Sequence, residues 1–199
     1  MPAAIWSDAV VMIPWETWTT TSDVELLQSY YQCTKLWIDY GIPRIGSGLW
    51  ERDAFQFGDW LDPAAPPDDS GVATTAPAYV ADVYLIYVTE RLAQISAALQ
   101  YGNDADYYST WASNPTAVFQ EAWIHENGTA TYETQTGLVL PLHFSLFANP
   151  EHTKAAVKRL QTYIAGSDFN IGTGFAGIHL TGHTLTRHSL SDTFYEMLF

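Results

Sequence analysis

Acids far outnumber bases here: Asp and Glu total 22, against 8 Lys and Arg. Glu51 and Asp53 stand close together, as do Asp59 and Asp62. Asp8 follows closely on Trp6, and Glu16 is flanked by Trp15 and Trp18. Two carboxyl groups in unlike settings are the equipment of acid–base hydrolysis. An apolar wall keeps one protonated, and a polar setting leaves the other ionised. Inversion at a sugar carbon sets such a pair about 6.5–9.5 Å apart with water between them. Sequence spacing does not give that distance, and a chain this acidic produces neighbouring acids without any catalytic reason.

The other motifs have simpler explanations. Gly172-Thr173-Gly174-Phe175-Ala176-Gly177 fits the dinucleotide-binding spacing, with Glu196 about 20 residues on. That reading needs a strand before the first glycine, and Ser167-Asp168-Phe169-Asn170-Ile171 follows a helix instead. A glycine-rich helix entry is expected. His179 and His183 are four apart on one helical face, and His188 follows, a spacing that suits metal ligands. A zinc protease would carry a base at the position of Leu180, which has none. No metal and no cofactor are expected. Gly46-Ser47-Gly48 is too short for a nucleophile elbow. Asn103-Asp104-Ala105-Asp106 lacks the glycine and distal glutamate of a calcium loop. Asn127-Gly128-Thr129 fits a glycosylation acceptor, a pattern common by chance. Cys33 is the only cysteine, so no internal disulfide can form.

A formal net charge of −14 argues against nucleic acid and against anionic membrane, because both need a basic surface. No run approaches the roughly 18–20 apolar residues of a membrane span. The N-terminus has neither the basic nor the apolar region of a signal peptide. Aromatics are abundant, with 8 Trp, 12 Tyr and 9 Phe. Their flat faces suit the C–H faces of sugars and equally suit a core.

The elements that must position these residues are helical. Ser22 and Glu25 form a capping-box pattern, opening a helix to about Tyr40. A second helix is expected over about Ala76 to Leu99. Its stripe of Leu85, Val88, Leu92, Ile95 and Leu99 is that of a helix buried on one side. Asn103-Asp104 opens a helix that must kink or restart at Asn114-Pro115. Thr134 to Phe147 is an apolar helix containing Pro141. Asn149-Pro150-Glu151 starts another that ends at Gly166. Phe175 to His188 and Ser191 to Phe199 complete the set. No alternating pattern argues for a strand, so the expected class is all-α, built of antiparallel helical hairpins. Residues 41–74 form a long irregular loop rich in Gly and Pro. Both ends of the chain read as cut from something larger.

Three segments carry a resemblance. They are Trp6-Ser7-Asp8-Ala9-Val10-Val11-Met12-Ile13-Pro14-Trp15 followed by Ser22-Asp23; Phe57-Gly58-Asp59-Trp60-Leu61; and Thr134-Gln135-Thr136 leading to Thr173-Gly174-Phe175-Ala176-Gly177. In this order the chain resembles the catalytic module of α-L-rhamnosidases of the glycoside hydrolase family 78 type, from Trp6 to its end. The resemblance implies part of an (α/α)6 barrel, a single partial domain over residues 1–199. It implies an enzyme that hydrolyses terminal α-L-rhamnosyl bonds with inversion, needs no cofactor and takes a rhamnose-containing glycoside as partner. By residue match Trp6 and Trp60 wall the sugar, and Asp8 and Asp59, beside these tryptophans, are the expected acceptors of its hydroxyls.

The departures are as informative. The family's general acid lies in an upstream Asp-Pro-Gln-Arg-Asp-Glu-Arg-like segment, which this sequence does not contain. Its general base lies in a downstream Trp-Glu-Arg-Trp-like segment. Trp50-Glu51-Arg52-Asp53 lacks the second Trp and falls between the wrong helices. The expectation is an inactive fragment, with the catalytic residues unassigned and the remaining barrel segments of the parent enzyme as its partners. Two alternatives stay open: a non-catalytic sugar-binding helical module, or another (α/α)6 glycosidase with Asp59 or Glu51 as acid. By the resemblance the parent protein can be a secreted one, with any signal upstream. The chain itself leaves its compartment open.

Overall fold

A computed structural model describes residues 1–199. It is helical, as predicted, with eight α-helices: α1 Ala9–Thr21, α2 Val24–Leu36, α3 Pro77–Ala98, α4 Gly102–Trp123, α5 Gln135–His143, α6 Pro150–Gly166, α7 Phe175–Arg187 and α8 Ser191–Glu196. A single π-helical turn, Trp37–Gly41, prolongs α2. The only extended pairings are isolated bridges, Arg44 with Trp50 and Ile124 with Ala130. No helix is long and apolar enough to cross a membrane.

The chain divides into two compact units. The first comprises Met1–Gln56 and Tyr84–Val118, and the second Phe57–Val83 and Phe119–Phe199. In the first unit α1 packs on α2 as a hairpin. The joint differs from the sequence expectation. Ser22 does not cap α2; it takes a left-handed conformation (φ 59°) that ends α1, with its amide donating to Trp18. Asp23 is the cap, its carboxylate accepting the Leu26 amide at 2.9 Å. Both residue types suit an N-cap, and the backbone turn decides between them.

Helix α3 is not buried along one stripe. Tyr79, Val80, Ala81, Asp82, Val83, Tyr84, Leu85, Ile86, Val88 and Thr89 are all buried, so its first part is enclosed on every side. A helix surrounded by protein needs no polar face. Its few polar groups are bonded in place: Thr89 and Ser96 donate to Leu85 and Leu92 carbonyls, and the Asp82 carboxylate accepts the Trp123 indole N–H at 2.8 Å. Helix α4 does not restart at Pro115 but runs through it. The Thr116 hydroxyl donates to the Ala112 carbonyl there at 2.9 Å. In the second unit α5 packs on both α6 and α7, and α7 on α8. Helix α5 is buried from Gln135 to Leu142. Helix α6 opens as expected, with Asn149 accepting the His152 amide and Pro150 at its first position. Helix α8 stops at Glu196, earlier than expected.

Candidate sugar site

In the second unit the Phe57–Leu61 segment meets Thr136 and the Thr173–Gly177 run around one carboxylate. Gly58, at φ 62°, turns the chain so that Asp59 points inward. Asp59 is fully buried. It accepts the Thr136 hydroxyl at 2.5 Å and the Gly174 amide at 2.9 Å on one oxygen, and the Ala176 amide at 3.0 Å on the other. Those amides are the first N–H groups of α7, so a carboxylate of the chain itself occupies the helix N-terminus. The orphan donors and the positive end of the dipole make that position favourable for an anion. Burial nevertheless pushes the Asp59 carboxyl above its ordinary value, opposed by the bonds from Thr136 and Gly174 and aided by nearby Asp62.

The glycine-rich run acts here as a close-approach device. A Cβ on Gly174 would lie 2.5 Å from the Asp59 carbonyl oxygen and 2.6 Å from that of Trp60. The Trp60 carbonyl accepts the Phe175 amide at 2.7 Å. Thr134 caps α5 by accepting the Gly137 amide, and its hydroxyl bonds that of Thr75 at 2.6 Å. Gln135 accepts the Gly172 amide and donates to the Asn170 carbonyl, both at 2.9 Å. Thr134 and Thr136 therefore fasten the connection before α3 at two points, Thr75 and Asp59, and Gln135 fastens the one before α7. Trp60 is half-buried and meets Phe57 edge to face at 5.4 Å.

In the first unit Asp8 plays a parallel part. It is fully buried and accepts the Ile5 amide at 2.7 Å and the Trp37 indole N–H at 2.9 Å. It does not cap α1; its side chain turns back to hold Ile5, which sits at φ 69°. That brace fixes the residue before Trp6, which is 37% exposed. Burial raises the Asp8 carboxyl to about 6, while the bonds from Ile5 and Trp37 and the charge of Arg44 pull it down. A raised carboxyl is one mark of a general acid, but this one is sealed from any substrate. Trp37 was not legible as its partner, because nothing in the sequence pairs residues 29 positions apart.

The remaining acids form no catalytic pair. Asp62 is 5% exposed and folds its own loop, accepting Ala64, Thr74 and the Thr74 hydroxyl. Glu51 and Glu16 are exposed. With Asp59 buried and triply bonded, the alternative that makes it a catalytic acid loses its physical basis. His143, His179 and His183 line one open cavity of about 660 Å³, and no group of three or more ligand-type side chains is placed to hold a metal.

The comparisons with known proteins agree with this fold. The family described as bacterial alpha-L-rhamnosidase 6 hairpin glycosidase domain matches residues 1–199. The structure is similar to the crystal structure of an alpha-L-rhamnosidase from Aspergillus terreus, with TM-score 0.98 and 48% identity. That match covers 100% of this chain and 23% of that one. It is similar to the Streptomyces avermitilis alpha-L-rhamnosidase complexed with L-rhamnose, with TM-score 0.82 and 26% identity, over 96% of this chain and 17% of that one. An alpha-L-rhamnosidase from Alteromonas sp. (strain LOR) is 27% identical over 198 residues, 98% of this chain and 21% of the relative. The chain thus spans about a fifth of the relatives it matches. On a match that runs its whole length, the chain belongs to the bacterial α-L-rhamnosidase six-hairpin glycosidase family.

Proposed function

We propose that this chain is the sugar-contacting part of an α-L-rhamnosidase, and that the whole protein hydrolyses terminal α-L-rhamnosyl bonds with inversion. A 6-deoxy sugar presents a methyl group and a C–H face, and indole packs against both. Trp6 and Trp60 are the residues proposed to make those contacts. Asp8 and Asp59 then act behind them, holding the backbone that carries each indole, rather than accepting sugar hydroxyls directly. The observation that carries this reading is the inward bonding of both carboxylates: Asp8, two residues after Trp6, holds Ile5 and Trp37, and Asp59, directly before Trp60, is held by Thr136, Gly174 and Ala176.

In this reading the general acid and base lie in the four-fifths of the relatives that the chain does not match. The acid would protonate the leaving oxygen and the base would activate water. Residues 1–199 alone then bind rhamnose without cleaving rhamnosides. An aryl α-L-rhamnoside assay, with L-rhamnose binding followed by tryptophan fluorescence, tests both parts. The expected result is no chromophore release, together with binding that weakens in Trp60→Ala and in Trp6→Ala. Turnover by the chain would overturn its inactivity. Binding unchanged in both variants would remove these tryptophans from the sugar site.

A further inference from the structure

The first unit carries a second cluster with the chemistry of a sugar site, and it shares no residue with the first. Lys35 closes α2, Asp39 and Tyr40 lie on the π turn, and Tyr107 and Trp111 are one turn apart on α4. These five residues line a cavity of about 310 Å³, at the small end of the range that holds small molecules. Tyr40 is 82% exposed and Tyr107 57%, so two aromatic side chains are offered to solvent. Trp111 is held from one side by the Arg44 guanidinium, 4.5 Å from its ring centre, and Tyr107 leans on it at 6.0 Å.

The polar side of the cavity is equally fixed. Lys35 lies 3.2 Å from the Asp39 carboxylate and donates to the Tyr108 hydroxyl. The Tyr108 hydroxyl donates onward to Asp39 at 2.6 Å, and Tyr108 itself is fully buried. A buried phenol thus locks one cationic donor beside one anionic acceptor. Lys35 also faces Asp104 at 4.0 Å, and the Asp39 carboxylate, with about four acceptor positions, keeps acceptors that these bonds do not use. The single π turn is itself a feature that recurs at functional sites.

A neutral ligand suits these groups, since a net cation meets Lys35 and a net anion meets Asp39 and Asp104. It must carry adjacent hydroxyls for the Lys35–Asp39 pair and an apolar C–H face for the rings. We propose that this cavity is a second carbohydrate-binding site, taking one neutral pyranose unit.

The test is a titration of the chain with L-rhamnose and with D-glucose, following the tryptophan indole N–H signals by NMR. Millimolar binding is expected to shift the Trp111 signal. Tyr40→Ala, at a largely exposed position, should weaken that response roughly tenfold, in line with loss of one aromatic contact, and Asp39→Asn should weaken it as well. Trp60→Ala should leave it intact. If the Trp111 signal stays still with both sugars, or responds equally in Tyr40→Ala, the second site is overturned. If Trp60→Ala abolishes every sugar response, the second site is overturned while the first stands. If Trp111 responds and neither Trp6 nor Trp60 does, the second site stands and the proposed roles of those two indoles fall.

Discussion

The Gly174 amide donates to the Asp59 carboxylate at 2.9 Å across 115 residues of chain. Around that bond the sequence loses freedom on both sides. Asp59 must be an acceptor, Thr136 must donate and Gly174 must lack a side chain.

Asp59→Ala leaves three buried donors facing a void. Each orphaned donor is worth about 1–3 kcal/mol, so a loss of at least about 3 kcal/mol is expected in urea unfolding. Asp59→Asn keeps one acceptor but turns an amide N–H₂ on donors, and should lie between the two. A loss below about 1 kcal/mol for the alanine variant would show that the cluster does not hold the unit together.

Gly174→Ala should be destabilising by about 1–3 kcal/mol, because the new methyl meets backbone atoms at 2.5–2.7 Å and backbone has little room to move. Gly166→Ala, at the end of α6 where nothing lies within 4 Å, should be neutral or slightly stabilising. Equal effects from the two variants, read by thermal melts, would refute the close-approach explanation.

Asp8 makes stability fall as pH rises. Its folded value of about 6 lies above the ordinary 3.8, so the folded state holds the proton more tightly. The stabilisation from this group is complete below about pH 4 and is lost as pH climbs to about 6. That difference corresponds to about 3 kcal/mol. Asp59 is raised by burial as well and acts in the same direction. Wild type should therefore lose stability relative to Asp8→Asn across this range, measured as paired urea curves at several pH values. A difference between the two proteins that does not change with pH would remove Asp8 as the titrating group.

Trp37→Phe deletes the indole N–H that reaches Asp8 while keeping an aromatic ring. The Asp8 carboxyl should rise further, as read from its side-chain carbon shift in a pH titration. Stability at neutral pH should drop by about 1–3 kcal/mol. An unmoved carboxyl would mean that the indole does not hold it.

The legible features were those encoded within one turn of chain. Asn149-Pro150 opened α6 where expected, because a cap is a contact between neighbours. Ser22 and Asp23 show the limit, since both can cap and only the left-handed turn at Ser22 assigns the role to Asp23. The stripe on α3 was read correctly as apolar, but burial of the opposite side depends on helices far along the chain. The resemblance singled out Asp8, Asp59, Thr136 and Gly174 together. It assigned the acids outward to a sugar, whereas their partners lie inward, and inward partners such as Trp37 leave no mark in local spacing.

The division of the chain also sets an order of assembly. Each unit is made from two separate stretches, so during synthesis the first cannot close before Val118 has emerged, nor the second before the final helices. At about 5–20 residues per second, the 115 residues between Asp59 and Gly174 take roughly 6–23 s to make. For that interval the Asp59 carboxylate has no α7 to sit on, and the apolar α3 is made early within it. A nascent chain of this protein therefore exposes the apolar first part of α3 well before the contacts that enclose it exist.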